Sequence, residues 1–312
     1  MTQVVFFGTS EFAVPILERL AQSPWRPELV VTTPDAPSGR GLESKPPPVK
    51  VAADRLGILV IQPQKLAPNT LHLAPRDADL FIVAAYGRIL PPELLKIPKC
   101  GSLNVHPSLL PRWRGASPIQ HVILFGDEET GVAIILMDEK VDHGPILRFK
   151  NLNIESQKWT VPELTVRLAE IGAELLHETI PDWLAGRIEP RAQDEAQATY
   201  APRLKKEDGR IDWSRPAQEL ERMVRALQPW PGAYAFWRKG GKNIRLVIES
   251  ADSREGATSS SPAGTVLAIG DGFAVKTGDG TLVIRYLKTE GGKSMEAREF
   301  LRGHRDIIGS IF

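Results

Sequence analysis

Cysteine is almost absent from this chain. One of its 312 residues is a cysteine, Cys100, so no internal disulfide is available and a reducing compartment is the expected setting. Cys100 stands at the entrance to a strand-like run and reads as a small packed side chain, not a nucleophile. No uncharged apolar run approaches the ~20 residues that span a bilayer. Met1 leads straight into a strand-like segment with no basic stretch before an apolar one, so no secretory signal is expected. Cytoplasm is therefore the expected location. The six histidines (His72, His106, His121, His143, His177 and His304) show neither the i, i+4 nor the cysteine-rich spacing of a zinc site, so no metal is expected. Gly8 closes the first apolar run, but no G-x-G-x-x-G follows, which leaves dinucleotide binding unsupported. No internal repeat is evident.

What is present is ordinary in bulk and uneven in distribution. Hydrophobic residues make up 42% and charged residues 25%, as in soluble globular chains, and the length suits two domains. The net charge of +1 conceals an asymmetry. Residues 1–204 hold 21 Lys and Arg against 24 Asp and Glu, a net of −3, whereas 205–312 hold 18 against 14, a net of +4. The basic C-terminal part permits an anionic partner.

The N-terminal part alternates short apolar runs with helical spacing. Runs at 4–7, 29–33, 59–61, 80–84 and 102–105 read as strands, with 131–137 and 146–152 able to pair. Phe12, Ile16, Leu17 and Leu20 mark one helix and 49–56 another, while 161–184 forms a third, interrupted at Pro181. Continuous apolar strands between helices predict a doubly wound α/β domain with a mostly parallel sheet over residues 1–187. Ligands then bind beyond the carboxyl ends of the strands. Residues 188–204, polar and broken by Pro190 and Pro202, read as a linker. From 205 to 312 a helix at 217–227 precedes five short strands bounded by glycine turns, which predicts a smaller antiparallel, OB-like barrel.

The segment Ser102-Leu103-Asn104-Val105-His106-Pro107-Ser108-Leu109-Leu110-Pro111-Arg112-Trp113-Arg114-Gly115 carries the chemistry. Period-two spacing puts Asn104 and His106 on one side of a strand at its carboxyl end. An amide there can donate to a developing oxyanion, and an imidazole can accept a proton; the same residues can also cap a turn. A second segment, Met137 to Pro145, offers Asp142, a carboxylate able to face a histidine from a neighbouring strand and hold its tautomer. Asp138, Glu139 and His143 read as solvated turn residues.

These motifs resemble the 10-formyltetrahydrofolate-dependent formyltransferase family: Asn-x-His-x-Ser-Leu-Leu-Pro, then Arg-x-Arg-Gly, with a downstream Asp-x-Gly. Three further segments are similar to the branch of that family acting on methionyl-tRNA. They are Phe6-Phe7-Gly8-Thr9-Ser10-Glu11-Phe12-Ala13; Thr33 to Gly41 with Pro46-Pro47-Pro48-Val49-Lys50; and Ala226-Leu227-Gln228-Pro229-Trp230-Pro231-Gly232-Ala233. The resemblance spans nearly the whole chain. It implies that Asn104, His106 and Asp142 are catalytic, that Ser108, Leu109, Leu110 and Pro111 contact the folate, and that Tyr86 and Gly87 help line its pocket. It further implies that Arg40, with Lys45, meets the tRNA acceptor stem, that Phe12 touches the methionyl side chain, and that the C-terminal barrel binds tRNA. The expected partners are initiator methionyl-tRNA and 10-formyltetrahydrofolate, on a monomer. Leu42 and Glu43 depart from the pattern, since basic residues are expected after Gly-Arg-Gly. A sugar-nucleotide amine as acceptor, hydrolysis of the formyl folate, and non-catalytic RNA binding stay open at this point.

Overall fold

In the N-terminal half, buried β-branched and aromatic runs become strands wherever helices can cover both faces. The computed structural model describes residues 2–38, 43–67, 78–256 and 260–312. These form two compact units. The first holds Met1–Pro118, Glu129–Asn153 and Glu163–Pro202, and the second Ile119–Glu128, Ile154–Pro162 and Arg203–Phe312.

In the first unit, strand β1 (Val4–Gly8) leads into helix α1 (Ala13–Ala21) and β2 (Leu29–Val31). A small hairpin follows, β3 (Ala36–Ser38) and β4 (Glu43–Lys45), within a stretch that carries no strand pattern in the sequence. Next come α2 (Pro48–Leu56), β5 (Leu59–Ile61), β6 (Leu80–Ala84), α3 (Pro92–Leu95) and β7 (Ser102–His106). Helix α4 (Pro118–Phe125) runs mostly in the second unit, and β8 (Glu129–Leu136), β9 (Ile146–Asn153) and α5 (Val161–Leu184) complete the half. The sheet order is β5-β2-β1-β6-β7-β8-β9. Its first five strands are parallel; β8 pairs antiparallel with β7, and β9 antiparallel with β8. The expected doubly wound sheet is therefore present. The strand order reverses between β1 and β6, which opens the crevice where such sheets take ligands.

Local rules set the helices. Ala13, Ile16, Leu17 and Leu20 bury one face of α1. Helix α2 starts at a proline, whose missing N–H is an orphan at that position anyway, and ends on Gly57 at φ +65°. Helix α5 differs from expectation: it runs through Pro181 to Leu184. Proline removes one helical donor there, but the last turn is tied from outside. Trp183 Nε1 donates to the Cys100 carbonyl at 2.8 Å and Arg148 Nη1 to that of Glu178 at 3.2 Å, while Arg148 also pairs with Asp182.

In the second unit, α6 (Ala217–Ala226) precedes β10 (Ala233–Lys239), β11 (Lys242–Arg254), β12 (Val266–Ile269), β13 (Gly272–Lys276), β14 (Thr281–Thr289), β15 (Met295–Glu296) and α7 (Ala297–Gly303). The antiparallel order is β10-β11-β14-β13-β12, with β15 on β14, forming a curled half-barrel. Gly240 and Gly241 both have positive φ in the two-residue β10–β11 turn, as a type I′ hairpin requires. Leu220, Met223 and Val224 of α6 enter one core with Trp237, Leu246, Phe273 and Phe300. Strand β15 and helix α7 carry no signal in the sequence pattern.

Candidate active site

Asn104 and His106 end strand β7 and are almost wholly buried, at 8% and 4% exposure. Their side chains meet a carboxylate from the β8–β9 loop. Asn104 Nδ2 donates to Asp142 Oδ1 at 3.0 Å, and His106 Nδ1 lies 3.5 Å from the same oxygen. The Gly115 backbone N–H donates to the other oxygen, Oδ2, at 2.9 Å. His106 Nε2 faces the Trp113 carbonyl at 3.0 Å. A carbonyl only accepts, so Nε2 carries a proton and Nδ1 is the basic nitrogen of the neutral ring, turned to Asp142. Both oxygens of Asp142 are thus engaged, and any proton arriving at the pair lies between Nδ1 and Oδ1.

Asp142 reaches β7 against the simple geometry of the sheet. Because β8 is antiparallel to β7, its carboxyl end pairs with the start of β7, Leu136 facing Leu103. The loop must double back, and it does so through a tight neck. Leu136 N–H donates to the Pro145 carbonyl at 3.0 Å, and a Cβ on Gly144 would sit 1.9 Å from the Leu136 carbonyl oxygen. Asp142 itself adopts φ +49°, a costly conformation for a residue with a Cβ. Only Ala85 (φ +42°) and Trp113 (φ +62°) share it among the described non-glycine residues. Ala85 directly follows β6, and Trp113 supplies the carbonyl that meets His106. Backbone strain of this kind collects at functional sites.

The remaining sequence candidates fall in different surroundings. Ser108 is fully buried, and its hydroxyl donates to the Arg112 carbonyl at 2.6 Å. Leu110 packs on Ala133 and Ile135, whereas Leu109 and Pro111 are half-buried. Gly87 is exposed at φ +82°. The Tyr86 ring lies edge-on to Phe7 within the apolar cluster under β1 and β6. Its carbonyl accepts from Thr9 Oγ1 at 2.7 Å, bridging the two strand ends. Phe12, at the N-cap of α1, is 3% exposed. Lys45 is exposed on β4; Arg40 and Leu42 lie outside the described residues. Among the described residues, no group of three or more His, Cys, Asp or Glu is placed to hold a metal ion. No helix among them is long and apolar enough to cross a membrane.

The Tyr86 hydroxyl is buried without a hydrogen-bond partner, and burial pushes its phenol above the usual value, opposed by the Arg88 charge. The sign follows: above pH about 10 the unfolded chain releases this proton and the folded one resists, so stability falls as pH rises. Tyr86→Phe is expected to raise unfolding stability by about 1 kcal/mol, because an orphan buried hydroxyl is costly, and to soften the alkaline loss. Urea titrations at neutral pH and near pH 10 test this; a destabilised variant would mean that the hydroxyl has a partner.

Three residues escape sequence reasoning. Arg114 is buried, with its side chain 2% exposed, and forms a two-pronged pair with Glu195 at 3.1 and 2.7 Å. Gln193 accepts from Arg114 Nε at 3.0 Å. The hydrogen bond from Arg114 holds the Glu195 carboxyl below its usual range. Gln193 and Glu195 sit in the stretch that reads as a linker, where no periodicity marks them. In the second unit, Arg298, Arg302 and Arg305 line a cavity of about 360 Å³ with Asp271, Leu301 and Ile308.

Comparison with known proteins decides the family. Residues 1–180 match the family described as Formyl transferase, and 203–305 match Formyl transferase, C-terminal domain. The chain belongs to the formyltransferase family. Among its curated relatives, the methionyl-tRNA formyltransferase of Halorhodospira halophila is 45% identical over 98% of this chain and 98% of its own. That of Citrifermentans bemidjiense is 43% identical over 99% of this chain and 96% of its own. Solved structures share the fold of this formyltransferase. An N-formyltransferase from Helicobacter canadensis aligns at TM-score 0.67 with 18% identity, covering 95% of this chain and 100% of its own. The methionyl-tRNA formyltransferase from Clostridium thermocellum aligns at 0.57 with 19% identity, covering 81% and 94%.

Proposed function

We propose that this formyltransferase moves the formyl group of 10-formyltetrahydrofolate to the free α-amine of initiator methionyl-tRNA, with Asn104, His106 and Asp142 as its catalytic residues. The observation that carries the reading is the convergence of Asn104 and His106 on one carboxylate oxygen of Asp142. Full-length relatives named for methionyl-tRNA support the acceptor, and solved relatives bound to folates support the donor class.

The amine attacks the formyl carbon, and negative charge develops on the former carbonyl oxygen. The Asn104 amide is suited to donate to that oxygen, such a donor contributing about 3–4 kcal/mol, while both ring nitrogens of His106 face Trp113 and Asp142. An α-amine titrates near pH ~7.7–8.0, so much of it must first release one proton to solvent, and the neutral amine sheds a second as its bond to the formyl carbon forms. The His106–Asp142 pair receives that proton, directly or through a water, with Nδ1 and Oδ1 as the atoms in line. The N10 nitrogen of the folate departs with a proton, which restores the pair.

Ser108, Leu109, Leu110, Pro111, Tyr86 and Gly87 are assigned to the folate, and Phe12 to the methionyl side chain. Arg40 and Lys45 are assigned to the acceptor stem. The arginine-lined cavity supports an anionic partner for the C-terminal domain, proposed as residues 205–312. Formyl transfer from 10-formyltetrahydrofolate to charged initiator tRNA, with elongator methionyl-tRNA and an amino sugar nucleotide as controls, tests the whole. Turnover on the sugar alone would sink it. Arg40→Glu is expected to weaken tRNA binding and lower the salt slope by about 1, the signature of one lost phosphate contact. Binding titrations across salt concentrations read this directly, and an unchanged slope removes Arg40 from the interface.

A further inference from the structure

A loop does not by itself hold a carboxylate in place, least of all at a residue with φ +49°. Something has to fix Asp142, and the side chain in position to do so is Gln193. Its Nε2 donates to two backbone carbonyls of the loop, those of Asp142 and Gly144, each at 2.8 Å. Both protons of the amide are thereby used. Its Oε1 accepts from Arg114 Nε at 3.0 Å, so the amide cannot turn over without facing oxygen with oxygen. Arg114 in turn is buried and forked onto Glu195. The next residue, Gly115, sends its backbone N–H to Asp142 Oδ2 at 2.9 Å. Arg114-Gly115 therefore grips Asp142 at two points, its carboxylate directly and its backbone through Gln193.

The grip is registered along the backbone. Arg114 N–H donates to the Thr199 carbonyl at 2.9 Å, and Ala201 N–H donates to the Arg114 carbonyl at 2.7 Å. Trp113 N–H also meets Thr199 Oγ1 at 2.9 Å. The segment carrying Gln193 is thus pinned to the same loop whose Trp113 carbonyl orients His106.

We propose that Gln193, anchored by Arg114 and Glu195, is the positioning residue that sets Asp142 for proton transfer. This rests on the catalytic role assigned to Asp142 above. Gln193 acts on the carboxylate through the backbone that bears it. Displacement of a reacting group by about 1 Å costs on the order of 100-fold in rate, so the effect falls on kcat.

The test compares Gln193→Leu, Asp142→Ala and the double variant in full-length protein, measuring kcat, KM for each substrate and thermal unfolding. Gln193→Leu is expected to lower kcat by about 10- to 100-fold, with both KM values within about twofold of the parent. On the Asp142→Ala background it should cost nothing further, because there is no carboxylate left to position. Gln193→Glu, which turns a charged oxygen on the two carbonyls, should fall at least as far as the leucine variant. Losses that add in the double variant, or higher KM at unchanged kcat, would overturn the proposal. Normal turnover of Gln193→Leu beside a crippled Asp142→Ala would overturn it too, while sparing Asp142. Normal turnover of Asp142→Ala would instead defeat the catalytic reading. Should Gln193→Leu fail to fold, Glu195→Gln loosens the anchor while keeping the amide. A loss of about tenfold that disappears on the Asp142→Ala background is then expected, and unchanged kcat in the folded variant overturns the proposal.

Discussion

Asn104→Ala is expected to lower kcat about 10²- to 10³-fold, the effect of deleting one preorganised oxyanion donor, with little change in tRNA affinity. Two losses combine in this variant. The amide that meets the developing oxyanion disappears, and Asp142 Oδ1 loses the donor now 3.0 Å away. The carboxylate keeps Gly115 N–H and the imidazole, so the site persists without its amide. His106→Ala and Asp142→Ala should give losses of the same order. Single-turnover formylation with saturating tRNA separates chemistry from binding, and a defect confined to KM would remove the residue from the catalytic set.

Gly144→Ala should be the most damaging change outside the three polar residues. Its Cβ would lie 1.9 Å from the Leu136 carbonyl oxygen and 3.0 Å from the carbonyl carbon, both backbone atoms. No rotamer relieves such a clash, so the neck of the loop must open. Overpacking of this kind costs about 1–3 kcal/mol and occasionally more. A loop displaced by about 1 Å carries Asp142 with it and adds on the order of 100-fold in kcat. Gly278→Ala is the control, because its Cβ would meet the Ser214 carbonyl oxygen at 1.8 Å within the second unit. It should lose stability while its folded fraction turns over normally. Equal kcat losses per folded molecule in the two variants would sever the neck from the chemistry.

Strand identity was legible where burial on both faces leaves an apolar run, as in β1, β2, β6 and most of β8, whereas β5 is partly exposed and β9 carries Arg, Lys and Asn among largely exposed positions. Asn104 and His106 were legible for a similar reason, as polar residues at period two ending an apolar strand. Asp142 was not readable in that way. Its approach depends on a loop doubling back beside an antiparallel strand, and a chain reversal of that kind is set by Gly144 and the Leu136–Pro145 hydrogen bond. Gln193 and Glu195 were hidden further. Their partner Arg114 is 79 and 81 residues away, and a polar segment without periodicity reads the same whether it is free or pinned. Pro181 misled for the opposite reason: a local breaker was overruled by Trp183 and Arg148, contacts from distant sequence.

The stretch from Arg191 to Ala201 resembles a hinge in composition, yet Ile146, Pro111, Arg114 and Ser117 all exchange backbone hydrogen bonds with it. Its length is accordingly fixed. One residue inserted between Gln193 and Thr199 would put either the amide or the backbone pairing out of step. Chimaeras that exchange C-terminal domains between relatives therefore have a natural crossover after Ala201. A crossover upstream of Arg191 would bring in a foreign segment, and with it a different hold on the catalytic loop.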